Sequence, residues 1–473
     1  MSRHPANAWS ACLLGLAAAA SLVAGCAMRT PPSPQAFRQQ SVGHLGLASP
    51  WRSGELPTEA VQDNWLSTFG DVQLDALVAE ALAHNPDLRA AAARVDQAAG
   101  QLALARGAQR PSLSLLGTGG IKMSDMSSAL SGLMALMSWE LDLWGALRYG
   151  SAAASASLVA AQSELEFSRQ SLAATTAKAW FTAAQTRLEA QTADRMVGVS
   201  EHLLRMVVTR RSVGIANDQE VAQASAGLSD QRDRLAQARL AHQSALRALE
   251  TLLGRYPAAE LTARTDLPPV PGPVPAGLPL QMLERRPDLI AAERRVAAAF
   301  NRVGQAKAAA LPGIRLTANL GYLDSDVVAL KKDFENPTGG AGAKLLMPID
   351  INGTLAAQVA IVTAQQQEAV AQYVQMALRA VADVETALAA AQTLTEREGH
   401  LRELVAAQST ALRLAQAAYE VGKRDLRSVE QERLILYQAQ VQLLRVRCDQ
   451  LTQRVNLHLA LGGSFERGAA VSH

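Results

Sequence analysis

The side chains that could catalyse a reaction or bind a metal are few and scattered. The chain has eight histidines and three cysteines, which are Cys12, Cys26 and Cys448. It has no HExxH metal motif, no Walker-type phosphate loop and no nucleophile elbow. Cys448 falls in a predicted long helix, where a buried thiol is inert. We therefore expect no enzyme activity, no metal and no cofactor.

Cys26 is the cysteine whose surroundings indicate a specific modification. An apolar run over residues 11–25 follows Arg3, and it is too short to span a bilayer comfortably. The small residues immediately before Cys26 resemble the bacterial lipobox. This resemblance predicts a signal peptide over 1–25, a diacylglycerol on the thiol and an acylated new N-terminus. The alternative is an ordinary signal peptide with an incidental cysteine.

The residues after Cys26 predict where the anchored chain goes. An Asp at the next position would resemble the signal for retention in the inner membrane, so Ala27 indicates delivery to the outer membrane. The proline-rich stretch from Pro31 to Pro34 predicts an extended tether within residues 26–60, between the lipid and the fold.

The overall composition excludes several broad classes of protein. The 473 residues include 45 Lys and Arg against 43 Asp and Glu, so the basic excess of a nucleic-acid binder is missing. A mean hydropathy of +0.02 with 19% charged residues excludes a polytopic helical membrane protein and a disordered chain. Aromatic residues make up only 4%, and the Ala-, Leu- and Val-rich remainder favours long helices.

An internal repeat organises most of the chain. It predicts a first copy over 61–254, a proline-rich linker over 255–280, a second copy over 281–463 and a tail over 464–473. A short insertion in the second copy falls between Gly321 and Asp350. The matching pairs include Pro86 and Pro287, Asp87 and Asp288, Leu88 and Leu289, Val213-Gly214 and Val421-Gly422, and Leu253-Gly254 and Leu461-Gly462.

Each copy predicts a helix, two strands, a very long helix and a further long helix. The first helices cover 73–109 and 281–311, and each is followed by a proline that cannot continue it. The very long helices cover 146–212 and 354–420, which at ~1.5 Å per residue gives about 100 Å each. The second carries a heptad seam that is typical of a coiled coil. The seam residues are Val370, Val374, Ala377, Val381, Val384, Leu388 and Ala391.

Four segments alternate apolar and polar residues with a period of two. They begin near Leu113 and cover residues 138–143, 314–322 and 344–351. One-sided apolar strands of ~10 residues are typical of a transmembrane β-barrel, and the alternative is a small soluble hairpin. Four strands cannot close a barrel, because single-chain membrane barrels need about eight or more. If the strands span a bilayer, several chains must share one barrel.

Both very long helices end at a Val-Gly pair. Gly214 and Gly422 suit the left-handed position that ends a helix. The next helix in the first copy starts after Asn217, where Glu220 completes a capping box. In the second copy it starts near Asp425 or Ser428. The turns therefore join antiparallel helices, far from the strands.

At this point the sequence resembles the TolC-like outer-membrane efflux proteins, and most of all the lipoprotein branch (NodT and OprM type) that serves RND tripartite pumps. The resemblance covers nearly all of residues 60–463. It rests on the lipobox, on the duplication and on the order of four motifs. These are Leu-Ala-His-Asn-Pro-Asp-Leu at 82–88, Glu-Arg-Arg-Pro-Asp at 284–288, and the two Val-Gly turns.

The resemblance implies a fold and a set of partners. The expected fold is α plus membrane β: a homotrimer in which four strands per chain form a 12-stranded β-barrel, joined to a long periplasmic α-helical barrel. The expected partners are a periplasmic membrane-fusion adaptor, an inner-membrane pump of RND type and outer-membrane lipid. The expected place is the outer membrane of a Gram-negative bacterium, with the chain lipid-anchored and extending into the periplasm. The channel itself hydrolyses nothing and conducts small molecules passively.

The resemblance also implies roles for residues near the two turns. By this resemblance the adaptor is expected to contact Val213, Gly214, Val421 and Gly422. The alternative is that each glycine is simply a helix cap. By the same resemblance a periplasmic gate is expected to include Glu220, Tyr419 and Arg424. The alternative is a solvated surface ion pair. The family prototype has two aspartates in a selectivity ring, whereas this chain has Ser428 and Gln431 beside Glu430, so the ring is weaker or displaced.

A second reading of the sequence is a lipid-anchored periplasmic coiled-coil scaffold or adaptor. The four strands discriminate between the readings, because a scaffold has no use for membrane-length amphipathic strands.

Overall fold

The structure repeats one order of elements twice. In this computed structural model the described residues are 29–47, 49–53, 61, 63–119, 130–325 and 337–466. After a short N-terminal helix, each repeat has two helices, two strands, a helix of 67 residues and a helix of 35 residues. The helices are α1 (Pro34–Val42), α2 (Val72–His84), α3 (Pro86–Gly107), α4 (Ala146–Ser212), α5 (Asp218–Leu252), α6 (Pro279–Arg285), α7 (Pro287–Ala309), α8 (Thr354–Glu420) and α9 (Leu426–Ala460). The strands are β1 (Ser112–Thr118), β2 (Leu130–Leu141), β3 (Gly313–Ser325) and β4 (Thr338–Leu346).

The residues form two units, each assembled from three stretches of the chain. The first consists of Met1–His44, Ala93–Gln162 and Ala291–Gln375, and it contains the strands. The second consists of Leu45–Ala92, Ser163–Ile290 and Met376–His473, and it contains the turns that end α4 and α8. The bounds predicted for both very long helices are confirmed.

The strands form one antiparallel sheet in the order β1-β2-β3-β4. Side chains directly opposite each other in such a sheet lie on the same face, so the register assigns every side chain to a face. Met137 lies opposite both Leu113 and Ala318. Ser138 lies opposite Ser112 and Thr317. One face therefore carries the apolar residues predicted from the alternation. The other carries the hydroxyl and charged groups together with Leu116, Met134, Leu136 and Leu346.

The fourth predicted strand is placed wrongly by the sequence pattern. Alternation suggested residues 344–351, but β4 covers Thr338–Leu346 and ends before Pro348. Proline has no N–H for the ladder, so the strand stops there. The first part of β4 is rich in glycine and alanine, which carry little hydrophobic signal.

The helices predicted over 73–109 and 281–311 are each two helices, broken before a proline. Asn85 and Arg286 have ψ angles of 126° and 118°, in the extended region that a following proline favours. Asn85 Oδ1 accepts the N–H groups of Asp87 and Leu88 and so starts α3. Its Nδ2 donates to the Leu252 carbonyl at 3.0 Å, at the end of α5.

The second repeat makes the same link with different chemistry. The Arg286 guanidinium donates to the Ala460 carbonyl at 3.2 Å, at the end of α9. It also pairs with Asp288 at 2.8 Å, and Asp288 accepts the N–H of Leu289. The Asn-Pro-Asp and Arg-Pro-Asp motifs are therefore structural: each joins the start of one helix to the end of another.

The prediction of an extended tether over residues 26–60 is wrong for its central part. Ser33 caps α1, whose first residue is Pro34, because proline is favoured at a helix start. The Phe37 ring contacts Tyr373 with centroids 4.9 Å apart, and Arg38 pairs with Glu293 at 3.7 Å. Packing against these side chains of the same unit stabilises a helix where composition alone suggested an open chain.

The proline-rich linker is held to the second unit by buried carboxylates. Glu250, which is 3% exposed, accepts the backbone N–H groups of residues 259–261 at 2.7 to 3.1 Å. Burial raises the pKa of the Glu250 carboxyl, but the three donors outweigh burial, and the pKa lies below its ordinary value. Asp71 accepts the Trp180 indole N–H at 2.9 Å and pairs with Arg264 at 2.9 Å.

The double role of Asn85 gives a stability prediction. Asn85→Asp keeps acceptors for the start of α3 but loses the donor to Leu252, whereas Asn85→Ala loses both interactions. We expect the thermal midpoint of detergent-solubilised protein, followed by circular dichroism, to fall from wild type to N85D to N85A. The cost of N85A should be about 1–2 kcal/mol. Arg89→Ala, an exposed change on the same helix, is the control. Equal midpoints for N85A and R89A would contradict this role.

Candidate functional site

The apolar face of the sheet is exposed to an unusual degree. Leu113, Leu345 and Leu320 are 74%, 68% and 61% exposed. Such a surface costs free energy in water and requires either a membrane or a partner. The apolar side chains of this face are Leu113, Leu115, Leu133, Ala135, Met137, Trp139, Leu141, Ile314, Leu316, Ala318, Leu320, Tyr322, Ala341, Ala343 and Leu345. Among the helices in the part of the chain that the structure describes, none is both long and apolar enough to cross a membrane.

The turns after α4 and α8 have the same backbone geometry. Gly214 and Gly422 have φ angles of 76° and 73°, which a side chain with a Cβ rarely adopts. In the first turn the N–H of Gly214 donates to Arg211 and the N–H of Ile215 donates to Arg210. The second turn repeats both bonds in the equivalent positions. Both are Schellman motifs, so the predicted glycine caps are confirmed.

The helices after these turns are capped by different side chains. Asn217 Oδ1 accepts the Glu220 N–H at 2.9 Å, and Glu220 Oε2 accepts the Asn217 N–H at 3.1 Å, which confirms the capping box. In the second repeat the cap is Asp425 rather than Ser428. The Ser428 N–H and hydroxyl both donate to Asp425 Oδ1, at 3.0 and 3.1 Å.

Two ion pairs connect the first repeat's turn to the second repeat's turn. Arg210 Nη1 lies 3.4 Å from Asp425 Oδ2, and Arg427 Nη1 lies 3.1 Å from Glu220 Oε1. Partial burial by itself raises the pKa of the Asp425 carboxyl, but the bonds from Ser428 and the nearby arginines outweigh it, and the pKa lies below its ordinary value. The Asp425 carboxylate is therefore charged at neutral pH. Sequence reasoning missed both arginines, because pairing between the turns leaves no local signal.

The residues predicted to contact an adaptor are accessible. Val213 and Val421 are 64% and 67% exposed at the two turns. Ile215, which the sequence reasoning did not single out, is 64% exposed beside the first turn. An apolar residue directly after a Val-Gly pair was the signal that could have found it.

The residues predicted for a gate are not brought together within one chain. Tyr419 is exposed, and Glu220 bonds with Asn217 and Arg427. Among the described residues, no hydrogen bond or ion pair joins the side chains of Tyr419, Arg424 and Glu220 to one another. The gate role stays a prediction for the assembled protein.

One member of the predicted selectivity ring does not fit that role. The Glu430 side chain is 2% exposed and pairs with Arg433 at 3.0 Å and with His202 Nδ1 at 3.3 Å. A carboxylate that is buried and paired in its own chain cannot face an open lumen. The structure therefore does not support the prediction that Glu430 belongs to the ring. The Ser428 hydroxyl is engaged by Asp425, and Gln431 is exposed.

The cysteine chemistry can be described only in part. Cys26 and the signal peptide lie outside the described residues. Cys448 is free and buried, and burial raises the pKa of its thiol to about 12, so it is not a nucleophile at neutral pH. No group of His, Cys, Asp and Glu suited to hold a metal occurs within the described ranges.

The capping box and the ion pair of Glu220 can be separated by substitution. Glu220→Ala removes the ion pair and the bond from the Asn217 N–H to the carboxylate, but keeps the bond from the N–H of residue 220 to Asn217, whereas Arg427→Ala removes only the ion pair. Amide hydrogen exchange of residues 217–221 should therefore accelerate roughly fivefold in E220A, for a carboxylate hydrogen bond worth about 1 kcal/mol. It should change little in R427A, because an exposed pair contributes about 0–1 kcal/mol. Equal acceleration in both variants would contradict this assignment.

The comparisons with known proteins agree with this arrangement. The profile of the family described as outer membrane efflux protein matches residues 77–255 and 278–463. The toluene efflux pump outer membrane protein TtgC of Pseudomonas putida is 30% identical over 96% of each chain. The pyoverdine export outer membrane protein OpmQ of Pseudomonas aeruginosa is 32% identical, over 89% of this chain and 92% of that one.

A solved structure shares the fold. The CmeC outer membrane channel of Campylobacter jejuni matches with a TM-score of 0.80, over 90% of this chain and 93% of that one, at 22% identity. This likeness shows the duplicated TolC-like fold. The chain belongs to the outer membrane efflux protein family and is an outer-membrane efflux channel.

Proposed function

We propose that three copies of this chain form the exit duct of a tripartite efflux pump, through which small molecules pass passively to the cell exterior. The observation that carries this proposal is the sheet. Its apolar face is exposed, and its outer strands β1 and β4 have no partner strand among the described residues. Such a sheet is complete only when other copies supply the missing neighbours.

Backbone hydrogen bonding explains why assembly must accompany membrane insertion. An unpaired N–H or C=O group in hydrocarbon costs several kcal/mol, so open sheet edges do not occur in a bilayer. Pairing β4 of one chain with β1 of the next gives each edge a partner. Three chains then supply twelve strands, which exceeds the minimum of about eight for a membrane barrel.

The experiment that tests the duct is conductance in a planar bilayer combined with the oligomeric state in detergent. A conducting trimer supports the proposal. A water-soluble monomer without conductance would instead favour the lipid-anchored scaffold, for which the strands have no use.

The partners follow from the turns and from the relatives. TtgC is described as part of an efflux pump and OpmQ as an export protein. We propose a periplasmic membrane-fusion adaptor that contacts the exposed turn residues Val213, Gly214, Val421 and Gly422. An inner-membrane pump of RND type supplies the energy, since the channel carries no catalytic motif.

We also propose that the turn region closes the duct at its periplasmic end. Glu220 is already committed to Arg427 and Asn217 within its chain. Tyr419 and Arg424 are exposed and are available to a neighbouring subunit. Contact with the adaptor would replace these subunit contacts and shift the population toward an open state.

Joint replacement of Tyr419 and Arg424 by alanine tests the gate. Loss of the contacts between subunits should raise the single-channel conductance and the open fraction in a planar bilayer. Arg413→Ala, an exposed change on the same helix, is the control and should leave the conductance unchanged. Unchanged conductance in the double variant would refute the gate role of these two residues.

The lipid anchor is the remaining part of the proposal. Cys26 would carry the diacylglycerol and an N-acyl chain, which would hold the N-terminus at the outer membrane. Cys26→Ser should abolish incorporation of labelled palmitate, because serine provides no thiol for the lipid. Wild-type protein is the positive control. Continued incorporation in C26S would place the modification elsewhere.

A further inference from the structure

A row of charged side chains crosses the polar face of the sheet. Glu140 on β2 lies opposite Arg315 on β3, and Arg315 lies opposite Lys344 on β4. The row is at the end of the sheet from which the chain continues into α4 and α8. Arg315 Nη2 and Glu140 Oε2 are 2.9 Å apart, and their side chains are 57% and 43% exposed.

The row has an excess of positive charge. Two cations face one carboxylate, so each chain contributes one net positive charge and a trimer contributes three. Lys344 is exposed and has no ion pair among the described residues. These three are also the only charged groups among the strand residues whose side chains the structure describes. The remaining described side chains of the strands are hydroxyl, amide or apolar, and the other positions are glycine.

Stability of the sheet does not explain this row. Like charges directly opposite each other on neighbouring strands are destabilising. A carboxylate at position 344 would pair with Arg315, yet the position is lysine. Gly342 and Gly340 precede Lys344 on the same face of β4, so on that side no β4 side chain lies beside its ammonium group. The lysine therefore presents its charge to whatever fills the space over this face.

We propose that this row forms a cationic ring that selects for anionic solutes where they enter the strand-lined part of the duct. The inference rests on the proposed function, because only closure of the trimer turns the polar face into a lumen. The apolar face then contacts lipid, and the polar face lines the pore. A ring of like charge in a low-dielectric wall raises the local concentration of counter-ions, which here are anions.

The test is the reversal potential of full-length protein in a planar bilayer under a gradient of KCl. Wild type should be anion-selective at about 0.1 M salt, where the Debye length is about 10 Å, and nearly unselective at about 1 M, where it is about 3 Å. Lys344→Glu makes the ring net negative and should lower the chloride-to-potassium permeability ratio at least roughly fivefold at low salt. This variant should also fold, since it places a carboxylate opposite Arg315.

Two further variants separate charge from shape. Lys344→Arg keeps the charge and should leave the reversal potential unchanged. Glu140→Gln removes the carboxylate and should shift the reversal potential further toward anions. A conducting wild type whose reversal potential does not move in K344E and E140Q would overturn the cationic ring while leaving the duct intact. Absence of any conductance in wild type would instead refute the duct, and the ring with it.

Discussion

Backbone groups at the edge of a sheet must find partners, and this requirement shapes the protein more than any single side chain does. In the part of the chain that the structure describes, the sheet has four strands and ends at its two outer members. In water the edges could be hydrated, but the exposed apolar face favours lipid, where hydration is lost. A subunit of this kind is stable in its working environment only as part of a closed assembly. Insertion of the strands into the membrane is therefore expected to require association of several chains.

A different constraint applies in the second unit, where α4 and α8 must end without leaving their last carbonyl groups unpaired. Glycine in the left-handed conformation lets the chain fold back over its own last turn at Gly214 and Gly422. The side chains around these turns are then free to specialise. Both copies therefore keep the same backbone turn, whereas the side chains around the turn differ between them.

Much of this architecture could be predicted from the sequence, because its signals are local. The ends of α4 and α8 follow from a glycine at the helix end and from the repeat itself. The sheet faces follow from alternation, which is a property of neighbouring residues. The errors occur where local signals are weak or ambiguous. The first part of β4 is hidden by its glycines and alanines. The helix break before Pro86 did have a local signal, because proline disfavours a helical residue before it, but the alanine-rich helix that follows favoured one continuous helix.

The site is less predictable, because its decisive contacts join residues that are far apart in the chain. Arg210 and Asp425 belong to different repeats, as do Arg427 and Glu220. Arg433 is a local partner of Glu430, three residues away on the same helix, but nothing near Glu430 in the sequence shows that His202 also contacts it. Resemblance to a family supplied candidate residues for this region. Only the packed structure distinguishes a carboxylate that is available from one that is already paired.

Comparison of the two repeats separates positions under backbone constraint from positions that have changed role. Asn85 and Arg286 occupy equivalent sites and reach equivalent carbonyls with different donors. Asn217 and Asp425 are equivalent caps, yet only Asp425 pairs with an arginine from the opposite repeat. A symmetric ancestor would have placed the same side chain at both sites. After a duplication the two turns can change independently, so selection can act on each separately. Their unequal charges are therefore an expected product of the duplication.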